Sequence, residues 1–149
     1  MKFNFGFSIL EIIVVLSLMA LVLGVFLVRT SGLQDQRSIE IAKGDLRAIQ
    51  SAINSYFLHH NSVYPSGADW LNNDLVNDNP RILRQVLYDP FRSANTEYSY
   101  FTSSDGKYYV AFSYGPNHQA DISGINTNGK FLGVNADDVF VTNGTGSFS

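Results

Sequence analysis

The groups with which this chain could do chemistry are three histidines and thirteen carboxylates, with no cysteine. That set excludes a thiol nucleophile, a cysteine-ligated zinc, an iron–sulfur site and any disulfide. His59 and His60 are neighbours and so point apart on a helix, as expected at a surface helix end, and His118 stands without partners for a triad. Gly-x-Ser-x-Gly, a phosphate-binding glycine loop and His-Glu-x-x-His are all missing from the sequence. These absences argue against an enzyme. Carboxylates matter in two places. Glu11 is the one charge in the 22-residue run 7–28. A carboxylate in a membrane helix costs roughly 2.5–3.5 kcal/mol at the centre and less toward the ends, so it marks a functional candidate. The second place is 115–139, rich in Gly, Asn and Asp with little apolar content. A loop this long is functional, ion-stabilised or disordered; the plain alternative is a solvated loop held by Asx-turns.

The elements that must position these groups follow from periodicity. As a helix the run 7–28 is about 33 Å long, the thickness of a bilayer core. It exceeds the apolar run of about 7–15 residues of a cleaved signal peptide, so it reads as an anchor that stays in the membrane. Farther on, Ile39, Ala42, Leu46, Ile49, Ile53 and Tyr56 recur at helical spacing, with Glu40, Lys43, Asp45, Arg47 and Gln50 off the stripe. One helix is expected from 7 to about 58, roughly 78 Å if continuous. Gly32 and its polar neighbours soften it around 30–35, and His59, His60, Asn61 and Pro65 end it. Trp70 reads as a lid on the core. A short helix is expected over 81–88, with Ile82, Leu83, Val86 and Leu87 inward. Segments 97–102 and 107–114 read as a hairpin turning at Ser103-Ser104-Asp105-Gly106, with Tyr108, Val110, Phe112 and Tyr114 buried. A third strand is expected over 139–143. The fold class is α+β: a long N-terminal helix, one half transmembrane and one half amphipathic, packed on a small C-terminal antiparallel sheet. A formal charge of −3 offers no basic patch for nucleic acid. Asn143-Gly144-Thr145 fits a glycosylation pattern of a kind that arises often by chance.

Met1 to Gly6 form a short leader ahead of Phe7, and Glu11 falls four residues after Phe7 at the head of the apolar run. This arrangement resembles the type IV pilin and pseudopilin family, whose pattern is Gly, an aromatic, three residues and then Glu. Asn61-Ser62-Val63-Tyr64-Pro65 is similar to the Asn-Gly-x-Tyr-Pro element of major pseudopilins. Asp89-Pro90-Phe91 resembles their Asp-Pro-Trp, with Phe in place of Trp.

The resemblance implies a pilin-like fold and three regions. These are a leader 1–6, a transmembrane and filament-core helix 7–28, and a periplasmic domain 29–149 that includes the amphipathic helix to about 58. Prepilin peptidase would cut between Gly6 and Phe7, and Phe7 would then be N-methylated. Glu11 would face the charged terminus of a neighbouring subunit; a cation within about 4–6 Å offsets the cost of the carboxylate. The implied function is that of a structural subunit of a type II secretion pseudopilus, with a cysteine-free type IV pilin or a minor pseudopilin as the alternative. The implied partners are further copies in a helical filament, minor pseudopilins and the inner-membrane assembly platform. The implied location is the bacterial inner membrane, single-pass, and then a periplasmic filament. Major pseudopilins bind calcium in a loop placed like 115–139, and Asn117, Asp121, Asp137 and Asp138 hold comparable positions. Calcium suits them because it takes 6–8 oxygen ligands.

The junction yields the first test. Intact-mass analysis of membrane-extracted protein should find residues 1–6 gone and one methyl added. Gly6→Leu should keep its leader, because a branched side chain does not fit a site shaped for glycine; normal cleavage of that variant would refute the assignment.

Overall fold

The computed structural model describes residues 8–67, 69–134 and 137–149, and for 26–31 the backbone alone. The chain divides into two compact units, 1–37 and 38–149. One helix, α1 (Ile9–His59), has residues in both. The expected softening at 30–35 does not break it: a single Gly costs only about 1 kcal/mol relative to Ala, which a long hydrogen-bond ladder tolerates.

In the first unit Ser8 accepts the N–H groups of Glu11 and Ile12 at 3.0 and 3.2 Å, opening the helix. From Ile9 to Val25 every large apolar side chain is exposed. Among the described residues no helix is long and apolar enough to cross a membrane. Residue 7 and the side chains of 26–28, which belong to the expected span 7–28, lie outside the described set.

In the second unit the stripe behaves as expected. Ala42, Leu46, Ile49 and Ile53 are fully buried, and Ile39 and Tyr56 pack at its ends. The helix closes where Asn61 and Ser62 turn to φ 53° and 63°, with the Ser62 N–H donating back to the Phe57 carbonyl at 3.0 Å. Asn is among the residues that tolerate this region. A single π-helical turn, Leu71–Val76, follows and buries Leu71, Leu75 and Val76.

The expected helix at 81–88 does not form. The N–H groups of Ile82 and Leu83 both donate to the Leu75 carbonyl, at 3.2 and 2.8 Å. That contact ties the segment to the π turn, and Pro80 offers no N–H of its own. Ile82, Leu83, Val86 and Leu87 nonetheless face inward and pack on the helix-side core. Trp70, 3% exposed, stacks on Tyr100 at 4.3 Å, as a core residue.

The first sheet has the order β1-β2-β5, with β1 Ser99–Thr102, β2 Tyr109–Ser113 and β5 Val139–Thr142, all antiparallel. The turn forms as expected: Asp105 Oδ1 accepts from Ser103 Oγ at 2.6 Å, and the Gly106 N–H donates to the Ser103 carbonyl. A second hairpin, β3 Ile122–Ile125 and β4 Phe131–Gly133, lies where a polar loop was expected. It buries Ile122, Ile125 and Phe131 against Val110 and Phe112. Gly133 sits at φ 126°, and a Cβ there would stand 2.0 Å from the Asp121 carbonyl oxygen, so only glycine allows this approach. The hairpin corrects the expected face of β2. All five residues of that strand are buried: Tyr109 and Ala111 face the helix-side core, and Val110 and Phe112 face the second hairpin.

Burial sets the expected cost of truncation. Leu46→Ala should destabilise the chain by about 2–5 kcal/mol, the range for an emptied core site. Leu58, 80% exposed, should change stability by less than about 0.5 kcal/mol when replaced by Ala. Urea denaturation of the two variants checks the contrast.

Candidate functional site

Two turns bring the acidic residues of 115–139 together. Asp121 immediately precedes β3, and Asp137 and Asp138 immediately precede β5; these strands lie in different sheets, and hydrogen bonds between the two turns hold the residues together. One carboxylate oxygen from each of Asp121, Asp137 and Asp138 lies within 4.8 Å of the other two. Gly115 makes the approach possible: at φ 67°, it lies where a Cβ would meet the Asp137 carbonyl oxygen at 2.3 Å.

The cluster is held by N–H donors, and none of its members joins an ion pair among the described residues. Asp138 Oδ2 accepts the N–H groups of Asp121 and Ile122 at 2.9 and 2.8 Å. Asp137 Oδ2 accepts the Asn117 N–H at 2.9 Å. Asp121 Oδ2 accepts the Asp137 N–H at 3.3 Å and the Asn117 side-chain amide at 3.1 Å. Asp137 Oδ1 and Asp138 Oδ1 are buried without any hydrogen-bond partner. Burial pushes the Asp138 carboxyl up to about 6; the two N–H bonds pull against that, and the neighbouring Asp121 and Asp137 charges add to it.

Two orphaned buried carboxylate oxygens beside a third carboxylate form a donor set that fits a hard cation. The set is all oxygen, which favours calcium over zinc or copper. Ligands on opposite sides of a calcium ion stand about 5 Å apart, a span this cluster matches. Three of the four residues expected from the sequence therefore meet. Asn117 stands at the rim in another role: its amide nitrogen donates to Asp121, and its Oδ1 accepts the Gln119 N–H at 2.7 Å. His118 turns its ring away, with Nδ1 2.6 Å from the Phe91 carbonyl. The backbone N–H cradle around Asp138 could not be read from the sequence, because it depends on the β3 hairpin.

At the other end of the chain, Gly6 and Phe7 lie outside the described residues. Glu11 sits in the first turn of α1, exposed, beside Ile12, Val15, Leu16 and Met19. Among the described residues no ion pair reaches it. The candidate glycosylation residue Asn143 has its side chain engaged. It accepts the Tyr109 N–H at 2.8 Å and donates to Tyr64 Oη and the Lys107 carbonyl at 2.9 and 2.8 Å. Comparison with protein-family models, with curated proteins and with solved structures gives no match.

The raised Asp138 carboxyl gives a signed prediction. Unfolded, it titrates near its ordinary 3.8; folded, near 6. Between those values the folded chain holds a proton that the unfolded chain lacks. Without calcium, stability should rise as pH falls from about 6 toward 4, and the cost of the charge should be fully present above about pH 6. In chelator at pH 7.5, Asp138→Asn should therefore melt higher than wild type, since the amide oxygen keeps both N–H bonds and the charge is gone. With calcium the order should reverse: wild type should gain several degrees and the variant little. Equal melts of wild type in calcium and in chelator would favour a solvated Asx-rich loop.

Proposed function

We propose that this chain is a structural subunit of a filament, most like the major pseudopilin of a type II secretion system. One observation carries the reading: a single helix bears an uncovered apolar run with Glu11 in its first turn, and the same helix supplies the buried stripe of a small α+β unit. An apolar run exposed in this way among the described residues suits lipid or like helices around it. The Gly6–Phe7 junction upstream supports processing by prepilin peptidase, followed by N-methylation of Phe7.

In this reading the run 7–28 crosses the inner membrane once, and the 29–149 part stands in the periplasm. The assembly platform draws subunits out of the bilayer, and their helices exchange lipid for one another. The exchange is nearly neutral for apolar side chains, so packing and polar contacts choose the register. Glu11 supplies that choice by pairing with the charged terminus of the next subunit. Minor pseudopilins would join the same filament, and the chain performs no catalysis of its own. Calcium, held by Asp121, Asp137 and Asp138, would neutralise three crowded carboxylates and stiffen the loop between the two hairpin strands and β5.

Glu11→Val should still insert, because it removes a polar cost from the helix, and its 38–149 unit should melt as in wild type. Sheared or cross-linked filaments of the variant should fall at least tenfold in yield. Filaments at wild-type yield would reduce Glu11 to a residue at headgroup depth and overturn the proposed role.

A further inference from the structure

Asp89 is a buried carboxylate, 3% exposed, whose hydrogen-bond partners are all neutral donors. Its Oδ1 accepts the Phe91 N–H at 3.0 Å and Ser113 Oγ–H at 2.6 Å, and its Oδ2 accepts the Tyr114 N–H at 3.0 Å. Burying an ionised group against neutral donors is costly, and bonds to charged acceptors are the strong ones. The arrangement locks the 89–91 segment to the end of β2. The residues that follow β2 make the turn that carries Gly115 and Asn117. The far end of that turn is tied to the same segment, since the His118 ring bonds the Phe91 carbonyl at 2.6 Å. The His118 N–H also closes the turn on the Gly115 carbonyl at 3.1 Å. Both ends of the turn are thus anchored on 89–91, and between them Gly115 presses on the Asp137 backbone while the Asn117 N–H holds Asp137 Oδ2.

We infer that Asp89 is a positioning residue for the calcium site, an inference that rests on the ion reading above. Asp89 touches no member of the acidic cluster among the described hydrogen bonds. It acts through the 115–118 turn, which sets where Asp137 can stand relative to Asp121 and Asp138. Asp89→Asn keeps the shape but presents an N–H group to one of the three donors, so one anchor of the turn is lost. His118→Ala removes the other anchor from a less buried place.

The test is calcium binding by the full chain in detergent, measured by competition with a chromogenic chelator. Asp89→Asn should weaken the calcium Kd at least tenfold, and His118→Ala at least threefold. Ile49→Val, in the helix-side core, serves as the control: it should lower the melting temperature and leave the Kd unchanged. This separates positioning from a general loss of stability. If wild type binds calcium and both Asp89→Asn and His118→Ala bind it equally well, the positioning role is overturned and the ion reading stands. If wild type shows no binding, the ion reading falls and the positioning role with it. Should Asp89→Asn fail to fold, the His118→Ala result against Ile49→Val decides.

Discussion

The 38–149 unit depends on one strand being buried from both sides. Successive side chains of a strand point to opposite faces, and β2 has large or apolar groups on each. Tyr109 and Ala111 meet Leu46, Ile49 and Ile53 of α1, and Val110 and Phe112 meet Ile122, Ile125 and Phe131 of the second hairpin. Neither layer would be stable alone. The helical stripe needs a surface to cover it, and a two-stranded hairpin is marginal in water without a packed face. Placing β2 between them satisfies both, and it fixes where the turns after β2 and before β5 must lie.

The acidic cluster follows from that placement. Asp121 precedes β3, and Asp137 and Asp138 precede β5, so packing the second hairpin over β2 brings the like charges of these two turns together. Repulsion and desolvation are offset in part by backbone N–H groups, and the residual cost appears in the raised Asp138 carboxyl. In the proposed reading a divalent cation would offset that cost and so couple ion binding to folding of the unit. The 89–91 segment serves the same end from the other side, with a buried carboxylate used as a splice between two loops.

The first unit follows the opposite logic. Its large apolar side chains from Ile9 to Val25 are exposed among the described residues. The two parts of α1 thus differ in exposure. The stripe beyond residue 38 is buried inside the unit, and in the proposed filament lipid or like helices would cover the run before it.

Much of this was legible in the sequence because it rests on local periodicity. The 3.6-residue stripe of Ile39 to Tyr56, the turn at Ser103 to Gly106 and the β-branched and aromatic runs around it specify the helix and the first hairpin from neighbours in the chain alone. The acidic residues were visible as types, and their grouping was expected from resemblance. Other features were decided only by tertiary structure. Ile82 to Leu87 carry an apolar pattern that suits a helix, yet the Leu75 carbonyl takes the N–H groups of Ile82 and Leu83 and the segment stays irregular. The hairpin of Ile122 and Phe131 has too few apolar residues to signal strands; it forms because the second face of β2 is there to be covered. Asn117 is a ligand by resemblance and an N–H donor to Asp121 by geometry. In each case the deciding partner lies far along the chain, and no local pattern encodes a contact whose other half is supplied by the fold.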